Sequence, residues 1–315
     1  MIATKSGSRS KANGRSLPRR AVHLKPGKYA DGAPFDEVQY LECKIILKPE
    51  PFTSQGVFWD FAKVVQRVAR QSDVGFSTKG FKDSKPQIRE VIFLDTADSR
   101  IYNHAFILRR RIPYKNGFPV GEPEIVFKSR LPDAQAAAEI DVRPRISGEY
   151  RVKFKVEALP LKGKSGSFRE LFSHNVQFPL SSMHEGDPTS FETLARIFPP
   201  LRKVLRSKDE KVVLVSATII EEVLQDIGLL DFGKGITAKA NVALWRRRGD
   251  HLPVVGEFAY EIKFKPGAEL DGKAMARCEQ FFVALQEAAE EWILFGSTKT
   301  GIVYGLGGNP VQAHE

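Results

Sequence analysis

Arg109 and Arg111 stand two residues apart in "AFILRRRIPY", a segment whose other residues read as a buried strand. On a strand that spacing aims both guanidiniums at one face and Arg110 at the other. Guanidinium forks match phosphate oxygens, and lysines add point charges; a solvated surface pair is the competing reading. Lys44 in "YLECKIILK" and Lys128 in "EIVFKSR" are basic groups of the same kind. Carboxylates share these charged faces: Glu42 beside Lys44, Glu139 and Asp141 with Arg143 in "EIDVRPR", and Glu261 in "AYEIKFK". A converging basic set would bind a compact polyanion, which carboxylates would repel unless Mg²⁺ or Mn²⁺ bridged the two. The chemistry pointed to is metal-assisted handling of a phosphate ester or anhydride. Other readings stay open: Glu42 as a salt-bridge partner of Lys44, and Glu139 and Asp141 as a structural ion-pair network.

Period-two alternation sets the elements that must position these groups. In "YLECKIILK", Leu41, Cys43, Ile45 and Leu47 oppose Tyr40, Glu42 and Lys44, with Ile46 on the charged face. In "RVKFKVE", Arg151, Lys153, Lys155 and Glu157 oppose Val152, Phe154 and Val156; in "EIDVRPR", Glu139, Asp141, Arg143 and Arg145 share one side. Residues 211–223 and 239–248 are further strand candidates. A helix is predicted over "SQGVFWDFAKVVQRVARQ" with Thr53 or Ser54 as N-cap, and another over "DGKAMARCEQFFVALQEAAEEWILF". The fold class is α+β: an antiparallel closed β-barrel with a charged lumen, covered by a few helices. The domain reading is a disordered basic tail over 1–35, a tunnel domain over 36–297 with a loop or insertion at 161–188, and a C-terminal tail over 298–315.

Four pieces taken in order, "LECKIIL", "FLDTADSRIYNHAFILRRR", "IVFKSR" and "AEID", resemble the signatures of the CYTH domain, the triphosphate tunnel metalloenzymes. The matching positions are Glu42 and Lys44; Asp95, Thr96 and Asp98; Arg109 and Arg111; Lys128; Glu139 and Asp141; Lys203 and Arg206 in "LRKVLRS"; and Glu261. Tyr40, Ala137 and either Ala259 or Lys263 depart from the pattern, where family members carry charged residues. The resemblance implies a triphosphate phosphohydrolase, an acid-anhydride hydrolase acting on inorganic triphosphate, thiamine triphosphate or a nucleoside triphosphate. It implies Mg²⁺ or Mn²⁺ on Glu42, Glu139 and Asp141, phosphate contacts from Lys44, Arg109, Arg111, Lys128, Arg143 and Arg206, and a catalytic role for Glu261. The alternative, favoured by the missing carboxylates, is a non-catalytic tunnel for polyphosphate, a nucleotide or a nucleic-acid end. Asp95 reads as structural, bonding strand-end amides.

The chain has 315 residues and a formal net charge of +10, and the acid-free segment 1–28 supplies most of that excess. Any weak nucleic-acid or polyanion contact by bulk charge is therefore expected from the tail. Cys43 and Cys278 do not read as a disulfide framework, and no apolar run is long enough to span a membrane. These features point to a cytoplasmic protein with no membrane, and the charged lumen gives it a small polyanionic partner. Scattered histidines lack zinc-ligand spacing, and no P-loop, nucleophile-elbow or dinucleotide fingerprint is present.

Overall fold

Strands with one charged and one apolar face need somewhere to put each, and closing the sheet on itself supplies both places. The computed structural model describes residues 16–18, 22, 24–183, 187–264 and 269–308. Its strands are β1 (Tyr40–Leu47), β2 (Gly75–Ser77), β3 (Gln87–Asp95), β4 (Phe106–Lys115), β5 (Phe118–Pro119), β6 (Glu124–Leu131), β7 (Arg151–Leu161), β8 (Lys164–Pro179), β9 (Val213–Leu214), β10 (Ile220–Asp231), β11 (Thr237–Arg247) and β12 (Pro253–Lys263). Its α-helices are α1 (Gly56–Gln71), α2 (Arg100–Asn103), α3 (Ala134–Ala138), α4 (Phe191–Ile197), α5 (Gly272–Ala288) and α6 (Lys299–Gly305).

Among the described residues nine strands close a barrel in the order β10, β11, β12, β1, β7, β8, β6, β4, β3, with β3 pairing back to β10. Going round an odd-numbered ring, strand direction cannot alternate throughout. One neighbouring pair must run parallel, and it is β1 with β7. The barrel is thus mixed rather than purely antiparallel. β8 is a long strand of the ring, which corrects the expected loop at 161–188.

The apolar strand faces point outward under a helical cover. Leu41, Cys43, Ile45 and Leu47 are fully buried in one cluster with Phe58, Phe61 and Val65 of α1 and Phe281, Phe282 and Leu285 of α5. Each such aliphatic side chain contributes about 2 kcal/mol relative to exposure. The first turn of α1 follows Gln55, which makes no side-chain cap; neither Thr53 nor Ser54 is the N-cap. A second cluster packs Leu194 and Phe198 against Phe127 and Phe178. Residues 24–35 of the expected tail include Tyr29, whose hydroxyl donates to the Ala138 carbonyl at 3.0 Å. Most of segment 1–23 lies outside the described residues.

Inward faces change character along their length. Two residues beyond Lys44, Arg109, Arg89, Glu222 and Glu257 on the same faces come Ile46, Ile107, Val91, Ile220 and Val255. These join Phe93, Trp245, Val303 and Tyr304 in a third buried cluster. Val303 and Tyr304 belong to α6, so the end of the chain expected to be a tail instead packs beneath one mouth of the barrel. Asp95 ties that floor together. Fully buried, it accepts from the amides of Thr96, Ile101 and Tyr102 at 2.7, 2.8 and 2.9 Å and from the Tyr304 hydroxyl at 2.9 Å. This is the structural role its sequence context predicts.

Candidate functional site: a charged blind well

The lumen is a well of about 250 Å³ whose floor is formed by Ile46, Val91, Trp245 and the Thr298–Thr300 turn leading into α6. Lys44 and Glu42 project into it from β1, Arg109 and Arg111 from β4, Lys128 and Arg130 from β6, and Lys153, Lys155 and Glu157 from β7. Arg89, Glu222, Glu257 and Lys299 complete its charged lining. Among the described residues nine basic side chains therefore face four carboxylates in one cavity.

Arg110 points the other way, to Glu90 at 3.5 Å on the outer face of β3. The three consecutive arginines are divided by strand alternation as their spacing predicts. Arg111 donates to Glu124 at 2.9 Å near the open mouth. Arg109 makes no ion pair or hydrogen bond with any described residue, and its Nε is shut off from solvent without a partner. Burial, then the charge of Arg111, pulls the Arg109 guanidinium down to about 9. Burial and the neighbouring Arg130 likewise hold the Lys128 ammonium well below its usual range. Both shifts describe cations short of negative charge.

The carboxylates are all engaged. Lys44 reaches Glu42 at 3.0 Å and Glu157 at 3.1 Å. Glu157 also receives Lys128 at 2.8 Å. Lys155 bonds Glu42 at 3.3 Å and Glu261 as well. Burial alone would raise the Glu42 carboxyl, but the charges of Lys44 and Lys155 outweigh it and hold the group at about 2. Glu222 takes Arg89, Lys299 and the Trp245 indole N–H, and Glu257 takes Lys299 at 2.7 Å. Tyr40, at the mouth, turns its ring toward three ammonium groups, with Lys153, Lys155 and Lys263 at 5.3, 5.8 and 5.9 Å from its centroid.

Several expected site residues lie elsewhere. Residues 139–145 form no strand. The alanine-rich segment after Asp133 instead makes α3, with the Asp133 carboxylate capping Ala136 N–H at 2.7 Å, and Pro144 has no N–H for a ladder. Glu139 is exposed at the end of that helix and accepts from Gln135. Asp141 pairs with Arg143 at 2.7 Å, and Arg143 also holds Asp31 and lies over the Tyr29 ring at 4.4 Å. Arg206 is 71% exposed and pairs with Asp98. None of these four lines the well. Lys44, Arg109, Arg111, Lys128 and Glu42 do, while Glu261 sits at the rim, bonded to Lys155.

Sequence reasoning missed Arg89, Arg130, Lys153, Lys155, Glu157, Glu222, Glu257 and Lys299 as site residues. The face shared by Lys153, Lys155 and Glu157 was the available signal for β7. Lys299 had none, because its segment reads as a tail.

A hard divalent cation needs several oxygen donors converging with free lone pairs. Among the described residues no three of His, Cys, Asp and Glu gather that way. The well's glutamates are instead separated by ammonium groups that would repel a metal. The residues present do not fit Mg²⁺ or Mn²⁺, because Glu139 and Asp141 are outside and Glu42 is held by two lysines.

No family model and no curated protein sequence matches the chain. Among solved structures, a candidate adenylyl cyclase from Hippeastrum, described with a dominant triphosphatase activity, is 12% identical. Its alignment covers 88% of this chain and 99% of that one, with a TM-score of 0.39. A candidate adenylate cyclase from Bacillus halodurans is 10% identical over 83% of this chain and 95% of its own, with a TM-score of 0.33. A Pyrococcus horikoshii protein is 13% identical over 78% and 89%, with a TM-score of 0.30. At these scores the likeness decides neither fold nor chemistry, and both rest here on the strands and side chains described above. No helix among the described residues is long and apolar enough to cross a membrane.

Proposed function

We propose that the well binds a compact phosphate polyanion of the triphosphate class, taken in end first. The observation that carries this reading is the uncompensated positive charge, centred on Arg109, which has no anionic partner among the described residues while facing the cavity. Arg109 is half-buried with its Nε shut off, so the ligand-free fold bears part of the desolvation cost of an unpaired ion, which reaches several kcal/mol for a fully buried one. A ligand bringing several negative charges removes that cost. Arg109 and Arg111 supply planar forks, and Lys44 and Lys128 supply point charges. The floor made by α6 supports a chain end over a threaded internal segment. This is the polyphosphate-binding alternative of the CYTH resemblance.

Isothermal titration with tripolyphosphate in EDTA tests it. Saturable binding that Arg109→Met weakens by about tenfold or more is the expected result; a wild-type protein giving no binding heat sinks the reading.

Hydrolysis of the bound anhydride is the second reading, and one observation favours it. Glu261 keeps 32% of its side chain exposed at the rim while bonded to Lys155, so it meets both water and the ligand's path. In that role it would orient an attacking water, and the lysines and arginines would stabilise charge on the transferring phosphoryl group. Orthophosphate release from tripolyphosphate, ATP or thiamine triphosphate, measured with and without Mg²⁺ or Mn²⁺, separates turnover from binding alone.

A further inference from the structure

Glu42 on β1 lies directly opposite Glu261 on β12 and opposite Glu157 on β7. Three glutamates thus occupy one rung of three adjacent strands, an arrangement in which like charges repel across the sheet. What holds the rung together is ammonium. Lys155 is bonded to both Glu261 and Glu42, and Lys44 spans Glu42 and Glu157 at 3.0 and 3.1 Å. The sequence of charges round the wall is carboxylate, ammonium, carboxylate, ammonium, carboxylate. Each lysine lies in the gap between two carboxylates, where a bridging cation would have to sit. At the mouth the same exchange recurs in another form, with the Tyr40 ring facing three lysines.

We propose that Lys44 and Lys155 are resident counter-cations that take the place of a divalent metal, so that the well recognises the free polyphosphate and not its magnesium chelate. The inference rests on the polyanion reading above and sharpens it by naming the ionic form of the ligand. Magnesium on a triphosphate neutralises the oxygens that Arg109, Arg111 and the lysines would contact, and it brings a hydration shell that it surrenders reluctantly. A bound chelate would also set that cation against a wall of ammonium groups.

Two measurements test this on the full chain. In the first, tripolyphosphate is titrated in EDTA and again in excess Mg²⁺. Binding weaker by about tenfold or more in Mg²⁺, equal to about 1.4 kcal/mol, is expected; unchanged or tighter binding in Mg²⁺ overturns the proposal. In the second, Mn²⁺ alone is followed by electron paramagnetic resonance. The wild-type protein should leave the free-ion signal intact, and the double variant Lys44→Met/Lys155→Met should quench it by releasing Glu42 and Glu261 to the metal, while Lys128 keeps its bond to Glu157. Quenching by the wild-type protein overturns the proposal, and so does a folded double variant that leaves the signal free. Should the double variant not fold, the wild-type arms still decide. No tripolyphosphate binding in either buffer overturns the polyanion reading itself, and the manganese arm then still reports whether the lysines exclude metal.

Discussion

Lys299, from the first turn of α6, places its ammonium 2.7 Å from the Glu257 carboxylate of β12 and 3.4 Å from Glu222 of β10. One side chain from the end of the chain therefore balances two buried carboxylates on the barrel wall, while lying over the Trp245 ring at 4.5 Å.

Removing that ammonium leaves buried negative charge without its partner. Lys299→Ala is expected to lower unfolding free energy by about 3 kcal/mol. Urea denaturation followed by tryptophan fluorescence measures it, and a change within error of zero would show that neither Glu257 nor Glu222 depends on Lys299.

The division of the arginine triplet makes a paired comparison. Arg109→Met should lose tripolyphosphate affinity by tenfold or more, about 1.4 kcal/mol. Arg110→Ala, on the outer face, should leave affinity unchanged. Equal losses in both variants would mean that the triplet acts as a surface patch.

The protonation of Arg109 sets a pH limit on binding. Its guanidinium is depressed to about 9 in the ligand-free fold, so the cation is fully present below that value and is lost as pH rises through it. Affinity for tripolyphosphate should therefore fall as pH rises through about 9, and Arg109→Lys should move that midpoint. Titrations from neutral to alkaline pH read the effect, and a flat profile across that window contradicts it.

Acid stability has the opposite sign. Glu42 is held at about 2 in the fold against an ordinary value of 4.5, so its contribution is complete above 4.5 and is lost as pH falls toward 2. The full shift corresponds to about 3 kcal/mol. Denaturation curves at stepped pH should show that loss in the wild-type protein and a shallower decline in Glu42→Gln.

Much of the barrel was legible because alternation is a local property. Arg109 and Arg111 could be assigned to one face, and Arg110 to the other, from spacing alone, and the buried outer face of Leu41, Cys43, Ile45 and Leu47 follows from the same rule. What failed was alternation without strand-forming backbone. Glu139, Asp141 and Arg143 alternate as a strand would, but an alanine run capped by Asp133 favours a helix, and Pro144 interrupts any ladder beyond it. Residues 164–179 failed in the reverse direction. Their glycine and serine content resembles a loop, yet partners on both sides, β6 and β7, hold them extended. Lys299 was out of reach because its role depends on where a chain end docks. Glu157 was on a correctly assigned face, but its importance comes from Lys44 and Lys128 converging on it from other strands.

The one parallel seam of the barrel also has a consequence for how the chain reaches its native state. β1 is made early, but its ladder partners are β7 and β12, and Tyr40 pairs with Lys263. No hairpin can seat it, so the ring closes only after β12, more than 200 residues later, has been synthesised. Pairing at that sequence distance places the chain among slow folders, on the order of milliseconds to seconds. Until β12 arrives, β1 has an unsatisfied edge of backbone amides and carbonyls.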